Sequence, residues 1–425
     1  MTAARDELER ELLALMARGA GSALPDAAFD ALARRVFAAQ FAACAPLRAY
    51  CERRGRPPGA VRHWTEIPAV PTEAFKEVAL RSDAEPVARV FLTSGTTREV
   101  AGRHPMTARA VGLYRASMLP TFRRFVLPEL EAISPAGDAP AAAPAAPAAA
   151  PDAPPAAPRS VLQPLVLGPP SEALPHSSLA FMIDGVCAAL CAAPARHFLG
   201  PDGLDEAGLE RALGEAEGAG RPVLLLGTAL AFLQVVERWT ERRLAFYLPR
   251  GSRAMETGGS KGRRRSIAPA ELYRRLGEVF GIEPASVVSE YGMTEAASQF
   301  YDGILHERWR AEQAEGGECG VAAGPPASGP RLKHGPPWAR ALVCDPETLE
   351  PAPPGRPGVL RIVDLANRFS VSFLQTADLA VAAGEGAHGP GSAPFELLGR
   401  AQGAEARGCS LAAEEWARTL GGGPR

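Results

Sequence analysis

From residue 161 onward the chain alternates short apolar runs with stretches of helical spacing, which restricts it to a small set of α/β folds. Val161-Leu162-Gln163-Pro164-Leu165-Val166-Leu167, Val223-Leu224-Leu225-Leu226-Gly227-Thr228, a short run within 244–259 and Val287-Val288-Ser289-Glu290-Tyr291-Gly292 read as buried strands. Helical patterns fall between them, at Leu179–Leu190, around Phe232, Val235 and Val236, and at Pro269–Phe280. Strands separated by helices predict a largely parallel sheet flanked by helices. After about residue 335 the pattern changes to short strands with Pro/Gly turns, at Ala341-Leu342-Val343, Gly358–Val363 and Phe373-Leu374. These predict a smaller β-rich lobe, followed by one helix at Ala412–Leu420.

Upstream, Leu8, Leu12, Leu13 and Met16, then Phe29, Leu32, Val36, Phe37 and Phe41, predict two helices within 6–54. Ile67–Lys76 contains two prolines, which enforce an extended path. A strand pattern at Val90-Phe91-Leu92 then ends in Thr93-Ser94-Gly95-Thr96-Thr97, followed by a helical pattern from Thr107 to Leu130. Residues 135–158 are almost all Ala and Pro, with eight prolines, and read as a disordered surface insertion that cannot bury enough surface to offset its ordering entropy. The expected division is therefore 1–88, a helical region with an extended segment; 89–335, the α/β core; 336–398, the β-rich lobe; and 399–425, a short tail carrying Cys409.

Composition narrows the function classes. With 46% hydrophobic and 22% charged residues and a net charge of −2, the chain reads as globular, and not as a general nucleic-acid binder. No apolar run approaches the roughly 20 residues that span a bilayer, and the start has no signal-peptide pattern, so the expected location is cytoplasmic. Seven cysteines with no C-x-x-C spacing give no convincing structural metal site. Only Lys76, Lys261 and Lys333 are lysine among 46 basic residues, which marks them as positions where a compact point charge is wanted.

The hydroxyl loop is suited to wrapping an anion, because glycine lets the backbone approach while hydroxyls and N–H groups point inward. Three later stretches complete a nucleotide-site pattern: Glu290-Tyr291-Gly292-Met293-Thr294-Glu295, Gln375-Thr376-Ala377-Asp378, and Gly399-Arg400 through Gly408-Cys409. In this order the four resemble the adenylate-forming superfamily of acyl-CoA ligases, peptide-synthetase adenylation domains and insect luciferases, over about 90–416. The resemblance implies ATP and Mg²⁺ as cofactors. It implies that Thr93, Ser94, Gly95, Thr96 and Thr97 hold the β- and γ-phosphates, and that Tyr291 and Gly292 face the adenine with Thr294 near the phosphates. Glu295 is then the Mg²⁺ ligand, Asp378 accepts the ribose hydroxyls and Arg400 is its partner.

The tail departs from a full-length acyl-CoA ligase, since only 25 residues follow Arg400 and none is lysine. The resemblance therefore implies a truncated C-terminal domain, and Lys261 is the candidate for the missing catalytic charge. Ile67–Lys76, Met255-Glu256-Thr257-Gly258-Gly259-Ser260-Lys261-Gly262 and Arg407-Gly408-Cys409-Ser410-Leu411 resemble the acyl-protein synthetases of bacterial bioluminescence, the LuxE family. That likeness implies an acid–thiol ligase that activates a long-chain fatty acid, carries the acyl group on Cys409 and delivers it to a LuxC-like fatty-acid reductase. An aryl- or acyl-CoA ligase related to phenylacetate-CoA ligase and a degenerate nucleotide- or acyl-binding subunit are the alternatives. Two local departures stand out. Thr97 is followed by Arg98-Glu99-Val100-Ala101-Gly102-Arg103-His104 rather than glycine and a later lysine, leaving Arg98, Arg103 or His104 to supply charge, and Ala377 replaces the glycine usual before the ribose aspartate.

Overall fold

The computed structural model describes residues 2–93, 101–133, 158–200, 203–258, 267–314, 330–401 and Trp416. The expected insertion, apart from Pro158, and all of the expected last helix except Trp416 lie outside these.

The expected α/β fold is observed. Strands Gln163–Leu167, Val223–Thr228, Arg253–Thr257 and Val287–Tyr291 lie side by side and parallel, with Arg196–His197 at one edge. Their near-continuous Val/Leu runs are buried on both faces, which is what a parallel sheet covered by helices requires. Helices Ser178–Leu190, Glu206–Gly218, Ala229–Glu241 and Pro269–Phe280 connect them. Trp239, Phe246 and Phe280 form an aromatic cluster in the core of the Ala229–Glu241 and Pro269–Phe280 side. Gly281, in the left-handed region at φ +67°, ends Pro269–Phe280.

Beyond Tyr291 the same sheet turns antiparallel. It runs through Phe300–Asp302, Lys333–His334, Phe395–Arg400, Phe373–Ala382, Gly358–Asp364 and Ala339–Cys344, in that spatial order. The β-rich stretch is therefore joined to the parallel half through Lys333–His334. A separate hairpin, Val87–Leu92 with Arg103–Thr107, carries the hydroxyl loop at its tip. Helix Ala108–Val126 follows it and packs against the helix Ser178–Leu190.

Three local readings are corrected. The N-terminal region holds three helices, Thr2–Ala17, Asp26–Ala43 and Ala45–Arg53, because Cys44 is extended and Pro46 restarts the helix. The strand predicted from Val161 begins at Gln163, and Val161 is 79% exposed. The Ile67–Lys76 stretch is extended only in part: Val70–Pro71 adds in parallel to Leu374–Gln375, and a short helix, Ala74–Glu77, follows.

Candidate active site

The hairpin fixes where the hydroxyl loop leaves and returns. Thr93 N donates to Gly102 O at 2.9 Å, and Gly102 N donates to Thr93 Oγ1 at 2.8 Å, closing the loop at its base. Ser94, Gly95, Thr96, Thr97 and Arg98 lie outside the described residues, as do Lys261 and Cys409.

At this base the hairpin meets the end of strand Val287–Tyr291. Thr294 Oγ1 lies 3.5 Å from Leu92 O and 3.4 Å from Ser178 Oγ, while Thr294 O accepts from His104 Nδ1 at 2.6 Å. A carbonyl only accepts, so Nδ1 carries the proton. His104 is 1% exposed, and burial lowers its pKa to about 4. It therefore contributes a neutral donor, and not the charge that the loop sequence called for. Asn367 Nδ2 donates to Glu295 O at 2.7 Å and to Val371 O at 2.8 Å. Beneath these, Asp364 accepts from Ala297 N, Ser298 N, Ser298 Oγ and Ala366 N at 2.7–3.0 Å. His104, Asn367 and Asp364 thus hold the Met293–Ser298 turn from three sides. Asn367 and Asp364 belong to no motif read in the sequence, and only their hydrogen bonds reveal them.

A second cluster lies one turn away. Tyr291 Oη donates to Asp378 Oδ2 at 2.8 Å, and Arg400 Nε pairs with Asp378 Oδ1 at 3.3 Å. Burial drives the Tyr291 hydroxyl well above its usual pKa, with the Asp378 charge adding to the shift, so it stays a donor. Phe300 and Phe395 pack against the ring with centroids 6.3 and 5.9 Å away. Arg400 follows Asp378 by 22 positions, and the two antiparallel strands that carry them place the pair directly opposite each other. The register shifts next to Leu379, and Gly399, at φ +126°, turns the chain there, a conformation that side chains disfavour. At Gly292 the limit is space, since a Cβ would sit 2.3 Å from Glu290 Oε1.

Thr93, Tyr291, Gly292, Thr294, Glu295, Asp378 and Arg400 are thereby gathered at the carboxyl end of the parallel strands, where open α/β sheets bind ligands. Among the described residues no group of three or more His, Cys, Asp and Glu could hold a metal ion. A hard cation at Glu295 would take its remaining oxygens from phosphates and water, the usual situation for Mg²⁺, and the half-buried position of Glu295 beside Thr294 fits that.

The His104 arrangement carries a pH signature. Its folded pKa lies below the unfolded value of about 6.5, so the unfolded chain takes up the proton first, and stability is lost as pH falls from about 6.5 toward 4. The full loss from this one group is about 3 kcal/mol. His104→Asn, whose amide can replace the Nδ1 donor, is expected to flatten that part of the urea-unfolding free energy against pH. An unchanged slope would contradict a buried neutral imidazole.

The geometry has counterparts among solved structures. An open conformation of 2-hydroxyisobutyryl-CoA ligase in complex with 2-HIB-AMP and CoA superposes with a TM-score of 0.55 at 13% identity, over 90% of this chain and 71% of that one. The same ligase in the thioesterification state gives 0.54 at 14% identity, over 90% and 70%. ATP-bound MatB from Rhodopseudomonas palustris is a looser match, with TM-score 0.41, 13% identity, and 75% of this chain against 49% of that one. The chain shares its fold with 2-hydroxyisobutyryl-CoA ligase. Residues 324–417 match the family model "Acyl-protein synthetase, LuxE". No curated protein sequence matches it. Among the described residues no helix is long and apolar enough to cross a membrane.

Proposed function

We propose that the chain activates a long-chain fatty acid with ATP and then holds the acyl group on Cys409, as a thioester, for delivery to a LuxC-like fatty-acid reductase in the cytoplasm. The observation that carries this reading is the meeting of the Thr93–Gly102 clasp, Thr294 and the Tyr291–Asp378–Arg400 cluster at one end of the sheet. In this reading Asp378 accepts the ribose hydroxyls, because each carboxylate oxygen can accept more than one hydrogen bond. Tyr291 flanks the adenine beside Gly292. Thr93, Ser94, Gly95, Thr96 and Thr97 surround the β- and γ-phosphates, with Thr294 at the base of their loop. Glu295 holds Mg²⁺, which when bound neutralises phosphate charge. Lys261 supplies further positive charge.

The acid's carboxylate oxygen attacks the α-phosphorus, and the bond to the β-phosphate oxygen breaks, releasing pyrophosphate and leaving an acyl-adenylate. The thiolate of Cys409 then attacks the acyl carbon, and AMP departs with the electron pair of the broken C–O bond. Arg407, two residues away in sequence, favours the thiolate. The tether length is compatible: Ala401 N donates to Ala377 O beside Asp378, at 2.9 Å, and Cys409 lies eight positions further along the chain, a reach of at most about 29 Å. Seven residues beyond Cys409, Trp416 is buried with its ring 5.0 Å from that of Tyr50.

Incubation with ATP, Mg²⁺ and labelled tetradecanoate is expected to put hydroxylamine-sensitive label on the chain, and Cys409→Ser is expected to remove it while acid activation persists. Label that survives the substitution would refute the acceptor role. Activation without labelling of the unaltered protein would point to a free-thiol ligase of the phenylacetate-CoA ligase type.

A further inference from the structure

The apolar stripe of helix Asp26–Ala43 contains one misfit. Phe29, Leu32, Ala33, Val36 and Phe37 are buried at helical spacing, and Gln40 follows them on the same face, itself 0% exposed. A primary amide there is costly unless its donor and acceptor ends are both bonded. Both are. Gln40 Nε2 donates to Asn367 O at 3.1 Å, to Arg368 O at 3.0 Å and to Ser372 Oγ at 3.0 Å, and Oε1 accepts from Ser372 N at 3.1 Å. The Ser372 N–H can only donate, which fixes the orientation of the amide.

Ser82 continues the clasp. Its N donates to Phe369 O at 2.9 Å and its Oγ to Ser370 O, while Ser370 Oγ donates to Leu80 O at 2.8 Å. The consecutive carbonyls from Asn367 to Ser370 thus each accept from Gln40 or Ser82. On the other side of this loop, the Asn367 side chain donates to Glu295 O at 2.7 Å and to Val371 O at 2.8 Å. A path of hydrogen bonds therefore runs from the N-terminal helices to the main chain of Glu295, although no residue assigned above to the nucleotide site lies upstream of Thr93.

We infer that Gln40 is a positioning residue for Glu295, acting through the 367–372 loop and the Asn367 side chain; this rests on the Mg²⁺ role proposed for Glu295. The Glu295 carboxylate is placed by its own main chain, and Mg²⁺ demands near-ideal octahedral geometry from its ligands. Removing the Gln40 amide releases Asn367 O, Arg368 O and Ser372 together, so the loop can shift and the donor to Glu295 O shifts with it. An amide that merely tied helix Asp26–Ala43 to the sheet would instead affect every property of the site alike.

Calorimetry of ATP binding to the full chain, with EDTA and with saturating Mg²⁺, separates the two. In Gln40→Met, which keeps the volume, Mg²⁺-free affinity is expected to stay within about threefold and the tightening produced by Mg²⁺ to fall about tenfold, the size of effect found when a group supporting a metal ligand is removed. Asn367→Ala is expected to do the same, and the double variant to lose no more than Asn367→Ala alone, because both lie on one path. Gln40→Asn withdraws the amide by one methylene and serves the same test if Gln40→Met fails to fold. Equal weakening with and without Mg²⁺, an unchanged Mg²⁺ gain, or additive losses in the double variant would overturn the proposal. Glu295→Gln shows where a failure lies. If it abolishes a Mg²⁺ gain that Gln40→Met leaves intact, only the positioning role falls; if the gain survives Glu295→Gln, the metal role of Glu295 falls and the positioning role with it.

Discussion

Asp378→Ala is expected to lower kcat/KM for ATP in acid activation by about two to three orders of magnitude. The carboxylate accepts from the buried Tyr291 hydroxyl and pairs with Arg400, so its loss removes the proposed ribose acceptor and frees both neighbours together. Charge-assisted hydrogen bonds contribute about 1.5–3 kcal/mol each, and two of them account for the size of the effect. Asp378→Asn keeps an acceptor for Tyr291 and loses the charge facing Arg400, so a smaller decrease is expected. Global stability should change little, because Asp378 lies near the sheet surface and Arg400 is half exposed, where ion pairs contribute at most about 1 kcal/mol. A kcat/KM within threefold of the unaltered protein would remove the ribose role from Asp378.

Asp364→Ala is expected to destabilise the fold by about 3–5 kcal/mol, measured by urea unfolding with an unchanged m-value. Asp364 is fully buried and accepts two backbone N–H groups and one hydroxyl from Ala297 and Ser298, plus the Ala366 N–H. Alanine leaves those donors unpaired in the core, where each costs about 1–3 kcal/mol. Asparagine is not a remedy, since its amide would point a donor at donors. The same change loosens the short Leu365–Asn367 turn, and with it the bond from Asn367 to Glu295 O. Acid activation should therefore fall as well, although Asp364 lies beneath the site. A loss below about 1 kcal/mol would mean that water replaces these bonds, and that the Met293–Ser298 turn is not held from below.

Those two residues show what could be read from the chain and what could not. Tyr291, Thr294, Asp378 and Arg400 lie in short contiguous stretches, and the fold brings them together because the strands Val287–Tyr291, Phe373–Ala382 and Phe395–Arg400 belong to the same sheet. The pairing of Asp378 with Arg400 needed only a hairpin of the expected length. His104, Asp364 and Asn367 act through bonds to residues 66–190 positions away, and one sequence holds no local signal for such a bond. His104 also illustrates a limit of residue type: sequence position suggested charge, and complete burial made it neutral. Lys333, one of the three lysines, is buried and donates to Ser289 O. The third N-terminal helix was missed because Ala45–Arg53 shows too few apolar repeats to separate it from the helix before it.

The most direct test is exchange of labelled pyrophosphate into ATP, catalysed by the full chain and measured with and without a panel of fatty acids. The gathered Thr93, Thr294, Glu295 and Asp378 predict exchange that needs both acid and Mg²⁺ and drops about 100-fold or more in Asp378→Ala. Folded protein that shows no acid-dependent exchange with any member of the panel would contradict an acyl-adenylating site.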